Sequence, residues 1–156
     1  IQKMLLNIGY KLDTEIKEKI LSPSDFGFHN ALRLPDGNLA FLDFEYCGWD
    51  DPVKTISDFI LHPGMQLNEN LQKRFAKNML LSFNNLDLSQ RFKILFPLVG
   101  LIWCLIIINE FVPQHQSRRG FARHDSDQEI QKIQLQKAEN IFNFLKKSPE
   151  KELLEW

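Results

Sequence analysis

Cysteine is nearly missing from this chain. Cys47 and Cys104 are the only two in 156 residues, too few for a disulfide framework, and a reduced, cytoplasmic setting is the default expectation. Net charge is nearly missing as well. Nineteen basic side chains against twenty acidic ones give −1, which leaves no overall field to draw in nucleic acid or an anionic membrane. Glycine is sparse, with seven in all, at 9, 27, 37, 48, 64, 100 and 120. None of them forms a phosphate-covering loop, and no strand carries a lysine placed to grip a phosphate. The opening residues lack the basic flank and apolar run of a signal peptide. His29, His62, His115 and His124 have no metal-ligand spacing and read as solvated or capping histidines. No G-x-S-x-G nucleophile context, internal repeat or low-complexity tract is present.

What is there is the composition of one soluble globular domain, 1–156: 44% hydrophobic and 25% charged, long enough to bury a core. Phenylalanine supplies thirteen of the aromatics, against three tryptophans and two tyrosines, which favours a thick apolar core. The longest uncharged run is Ile94–Ile108, fifteen residues. A spanning helix needs roughly 20 apolar residues, and Pro97 and Gly100 interrupt this one. It is expected to be a buried central helix rather than a membrane span.

Along the chain, residues 1–19 read as helical, with a break near Gly9, and residues 20–30 (ILSPSDFGFHN) as a loop. Ala31–Leu34 and Leu39–Phe44 are strands joined by the turn Pro35-Asp36-Gly37-Asn38, the one hairpin expected. The rest is helical: 52–62 opening on Pro52, 68–83, 92–109 and 126–147, the last closed by Lys146, Lys147 and Pro149. The stretch 112–124, with Arg118, Arg119 and Arg123, is a loop without acids, either solvated or set to meet phosphate or an acidic partner.

The chemistry lies in residues 22–58. Asp25 and Asn30 stand five apart in one loop, and the hairpin returns Asp43 beside it. Alone, the first two are ordinary turn residues. With a carboxylate ending an apolar strand they form the kind of set phosphoryl transfer needs. One carboxylate orients the attacking hydroxyl, and a second carboxylate with an amide oxygen suits Mg²⁺, a hard ion that prefers oxygen.

The order Asp, four residues, Asn, hairpin, Asp-Phe resembles the catalytic and metal loops of kinase-like folds. In detail it resembles the aminoglycoside phosphotransferase and choline kinase family, whose loops read H-G-D-x-x-x-x-N and I-D-[FYW]-E. Here the text is Pro23-Ser24-Asp25-Phe26-Gly27-Phe28-His29-Asn30 and Leu42-Asp43-Phe44-Glu45-Tyr46. Asp51-Pro52 to Asp58 is similar to that family's D-P-x-x-D with a longer spacer. The close match covers about forty of the 156 residues.

The resemblance implies an α+β, predominantly helical, kinase-like C-terminal lobe whose short hairpin carries both loops. It implies transfer of the γ-phosphate of ATP or GTP to a hydroxyl of an aminoglycoside, amino alcohol or sugar, with Mg²⁺ as cofactor. It makes Asp25 the catalytic base, Asn30 and Asp43 the metal and nucleotide-phosphate ligands, Glu45 an additional metal or substrate contact, and Asp58 a brace for the catalytic loop. Pro23 stands where the family has its loop-supporting His, and Ser22 and Ser24 are expected to supply substitute hydrogen bonds. The nucleotide-gripping N-terminal lobe is not in these residues. The chain opens on Ile1 rather than Met, so that lobe is expected upstream in a longer parent. This piece alone is expected to fold yet be catalytically silent, with an apolar strip near Phe41 and Phe26–Phe28 that drives either dimerisation or poor solubility. The alternative is a non-catalytic, pseudokinase-like binding or scaffold domain.

Two features bear on the acceptor. Asp43, Glu45, Asp50, Asp51 and Asp58 face one base, Lys54, across residues 43–58. Such a rim suits Mg²⁺ and a cationic acceptor, or is merely solvated and capping. Trp49 beside it either stacks on a quaternary amine or packs.

Overall fold

The computed structural model describes residues 19–83, 86–112 and 127–147. The helix expected over 1–19, the arginines at 118, 119 and 123, His115, His124 and Pro149 lie essentially outside them. The chain is α+β and mostly helical. In order it forms β1 (Ile20–Ser22), a 3-10 turn (Phe28–Asn30), β2 (Ala31–Arg33), β3 (Leu39–Phe41), β4 (Gly48–Asp50), α1 (Pro52–Leu61), α2 (Glu69–Ser82), α3 (Leu86–Ile108), a second 3-10 turn (Asn109–Phe111) and α4 (Asp127–Lys147).

The expected hairpin forms, its return strand ending at Phe41 rather than Phe44. Ala31 pairs with Phe41 and Arg33 with Leu39, antiparallel. Gly37 takes φ 86° in the turn, a backbone state glycine enters at no steric cost. The Asp36 carboxylate accepts from the Asn38 amide at 3.0 Å.

A second ladder corrects the reading of residues 20–30 as loop throughout. β1 pairs antiparallel with β4, Ile20 with Asp50 and Ser22 with Gly48. Three residues give no readable alternation, and the Ser-Pro-Ser that follows outweighs them as a turn signal. This ladder makes a neck, and the whole stretch 23–47 leaves and returns through it.

α1 is built to be buried. Asp51 caps it by accepting from the Val53 amide at 2.9 Å, Pro52 fills the first turn, and His62 leaves the helix in an extended conformation ahead of Pro63. Val53, Ile56 and Ile60 join Ala76 of α2 and Leu88, Phe92 and Phe96 of α3 in one core. Ile141, Phe144 and Leu145 of α4 pack on it. Gly100 lets α4 approach: a Cβ there would stand 2.6 Å from Leu145 Cδ1.

α3 also corrects an expectation. The apolar run is not packed on most sides. Phe92, Phe96 and Ile107 are buried, whereas Ile102 is 54%, Leu105 62% and Ile106 48% exposed. Among the described residues, Asp87–Phe111 is the one helical stretch long and apolar enough to cross a membrane, by length and composition. Its N-terminal half is nevertheless committed to the core. The pattern shows apolarity, which a helix bearing two apolar faces and a fully enclosed one share.

Candidate active site

Residues 22–30 are held from below by hydroxyls. Ser22, 2% exposed, accepts at Oγ from Thr55 Oγ1 of α1 at 2.8 Å and from the Ser24 amide at 3.1 Å. The loop support expected of the Ser24 side chain thus comes from Ser22, and Ser24 contributes its backbone. Ser24 takes φ 62°, an uncommon state for a residue with a Cβ. Phe26 then anchors the loop, its ring 4.8 Å from Phe41 of the hairpin and 5.4 Å from Phe59 of α1. Gly27 is needed for close approach, since a Cβ there would lie 2.5 Å from His29 Cε1 and 2.6 Å from Met65 Sδ.

This folding brings Asp25, Asn30 and two histidines together. Asn30 Nδ2 donates to the Asp25 carbonyl at 2.9 Å and to its Oδ2 at 3.2 Å. His29 Nε2 donates to Asp25 Oδ1 at 2.8 Å. His62 stacks on His29 at 3.9 Å between centroids and holds its own Nε2 3.9 Å from Asp25 Oδ1. Burial alone would push the Asp25 carboxyl up. The bond from His29, the charges of His29 and His62 and the bond from Asn30 outweigh it, so Asp25 titrates below the usual carboxylate range. Burial, with the neighbouring His29 second, pushes the His62 imidazole down against the pull of Asp25.

Sequence spacing missed this pair. Only the i, i+4 relation of His29 to Asp25 is local, and His62 arrives by the fold. Asp25, His29 and His62 each offer a ligand atom, all within 4.8 Å. However, His62 Nδ1 accepts from the Gly64 amide at 3.1 Å, so the neutral ring carries its proton on Nε2. A neutral imidazole bound to a metal through Nε2 must carry it on Nδ1. His29 therefore holds Asp25 by a hydrogen bond, and His62 backs it by stacking on the His29 ring.

Asp43 lies one residue past the hairpin's last backbone bond, in which the Leu42 amide donates to the Asn30 carbonyl at 2.8 Å. It is exposed and takes φ 62°. Strained backbone of this kind clusters where chemistry is done. The Tyr46 hydroxyl is pushed up chiefly by its bond to Glu45, with Asp43 and Asp25 adding to the effect. Asn30 Oδ1 and the Asp43 carboxylate have no hydrogen-bond partner among the described residues. They are hard oxygen donors of the kind Mg²⁺ takes, so the residues present fit that ion.

The remaining acids do not form an open rim. Asp51 is buried, capping α1 and ion-paired to Arg91 of α3. Lys54 Nζ takes Asp58 at 2.6 Å and Asp50 at 3.4 Å. Asp58 also accepts from Trp103 Nε1 at 3.0 Å and makes no bond to the 22–30 loop, so the brace expected of it belongs to Ser22 and Asn30. Trp49 is 72% exposed on β4 and stands outside the cleft. That cleft, about 350 Å³, is lined by Asp25, Tyr46, Lys54, Asp58, His62, Trp103 and the apolar residues Val99, Ile102 and Ile106. No protein-family model, curated protein or solved structure matches this chain.

Proposed function

We propose that this chain is the C-terminal lobe of a kinase-like small-molecule phosphotransferase, carrying the base and the metal-binding residues for γ-phosphate transfer from ATP or GTP to an acceptor hydroxyl. The observation that carries the reading is the pair of hydrogen bonds that Asn30 Nδ2 donates to the carbonyl and carboxylate of Asp25, at the foot of the hairpin that delivers Asp43. One amide thereby holds the base, and its own oxygen has no hydrogen-bond partner among the described residues.

The chemistry asked of these residues is mainly positioning and charge. Asp25, ionised at neutral pH, accepts the proton of the attacking hydroxyl through a carboxylate that His29 and Asn30 keep from rotating. Asn30 and Asp43, with Glu45 beside them, would hold Mg²⁺, which when bound neutralises charge on the nucleotide phosphates. Pro23 costs the loop its family histidine, and the bonds of Ser22 to Thr55 and Ser24 do that supporting work. This favours the catalytic reading over the pseudokinase one.

The test is nucleotide consumption. The 156-residue chain is compared with a parent chain that carries a nucleotide-gripping lobe, each with Asp25→Asn as control. The chain alone is expected to be silent and the parent active, with Asp25→Asn lowering turnover by about 10²–10⁴-fold. Turnover that Asp25→Asn leaves untouched contradicts the assignment.

A further inference from the structure

The acidic stretch 43–58 reads in the sequence either as a cation-binding rim or as solvated and capping acids, and the side-chain contacts pair Asp50 and Asp58 with Lys54 and Asp51 with Arg91. Of the two acids lining the cleft, Asp58 is consumed by Lys54 and Trp103. An incoming ammonium would have to displace Lys54 from Asp58, and from Asp50 with it. The other acid is Asp25, and pairing it with a substrate cation would blunt it as a base. Nor is an aromatic cage ready for a quaternary amine. The Trp103 ring is already in a T-shaped contact with His62 at 5.0 Å, which leaves Tyr46 as the one uncommitted ring among the described lining residues.

The opposite wall is apolar, and among the described residues Ile102 and Ile106 are its exposed members. Val99, Ile102, Trp103 and Ile106 recur at helical spacing and put one face of α3 into the cleft. Ile102 and Ile106 are about half exposed, although the same helix buries Phe92 and Phe96 completely. About 350 Å³ is the size of a small-molecule site. We infer that the acceptor is a neutral alcohol with an apolar body, seated on the Val99–Ile102–Ile106 face with its hydroxyl at Asp25. This rests on the phosphotransferase reading and narrows its substrate class against cationic aminoglycosides and amino alcohols. In the transfer the acceptor oxygen forms the new P–O bond, its proton passes to Asp25, and the nucleotide diphosphate leaves with the electron pair of the broken bond.

A binding measurement tests this without nucleotide, so its failure stays separate from that of the transfer reading. With Trp49→Phe and Trp156→Phe, Trp103 is the sole tryptophan of the three and reports on the cleft. The probes are 2-cyclohexylethanol and choline, which hold a primary hydroxyl at the same distance from a neutral and from a cationic bulk. The neutral alcohol is expected to shift Trp103 emission saturably and to bind about tenfold tighter than choline. Ile102→Asn weakens it about tenfold through lost apolar contact. Leu105→Asn, on the same helix and 62% exposed outside the cleft lining, leaves binding unchanged and controls for folding. Choline binding as tightly, no saturable response to the neutral alcohol, or equal weakening by Leu105→Asn each overturns the assignment.

Discussion

Thr55 Oγ1 donates to Ser22 Oγ at 2.8 Å across thirty-three residues of chain, tying the first helix to the root of the candidate catalytic loop. Both groups are buried; without Ser22 Oγ the Ser24 amide loses its acceptor and Thr55 Oγ1 keeps only the longer bond to the Asp51 carbonyl at 3.4 Å. Ser22→Ala is expected to cost about 1–3 kcal/mol in urea unfolding. A double-mutant cycle with Thr55→Val gives a coupling of about 1 kcal/mol; strict additivity would show that the bond contributes nothing to stability.

Asp51 does two jobs that substitutions can separate. Its Oδ1 caps α1 and its Oδ2 meets Arg91. Asp51→Ala loses both and costs about 3–5 kcal/mol, since it also leaves a largely buried guanidinium without its partner. Asp51→Asn keeps a capping oxygen and costs less. Equal losses in thermal unfolding would show that the cap has no share.

Stability should fall on acidification in two windows. The His62 pKa is pushed below its ordinary 6.5, so the unfolded chain binds a proton there first. Its contribution is full above about pH 6.5 and is lost as pH drops through the lower folded value. Asp25, with its pKa lowered from 3.8, contributes above that value and loses its share as pH falls further. The groups facing His62 are His29, Asp25 and Lys137. His62→Gln is expected to flatten the upper window and leave the lower one in pH-dependent urea midpoints; an unchanged upper window would assign it to another group.

The contact at Gly27 places His29. Gly27→Ala puts a methyl where His29 and Met65 now lie and must displace the imidazole from Asp25. In an active parent chain, kcat is expected to fall by about tenfold to a hundredfold while acceptor KM holds, because a small misplacement of the base is costly. A change confined to KM would locate the damage in binding.

The parts of this molecule visible in its sequence are those with local signals. Pro35-Asp36-Gly37-Asn38 made the hairpin legible, Pro52 and Pro63 bracketed α1, and the Asp25, Asn30 and Asp43 spacing marked the candidate site. The three-residue β1–β4 ladder was not legible, because its partners are far apart in the chain and carry no alternation. His62 was hidden for the same reason, as its place beside Asp25 depends on where α1 ends. Counting acids left the rim undecided between a cation site and capping acids, because sequence gives charge without the partners Lys54, Arg91 and Trp103 that engage it.

The central claim is that residues 25–45 make one site with a cation between Asn30 and Asp43. Paramagnetic broadening of backbone amide signals by added Mn²⁺, standing in for Mg²⁺, tests it on this chain directly. The account predicts broadening centred on Asn30 and Asp43, largely abolished by Asp43→Asn and spared by His62→Gln. Broadening centred on His29 and His62, removed by His62→Gln and indifferent to Asp43→Asn, would contradict it.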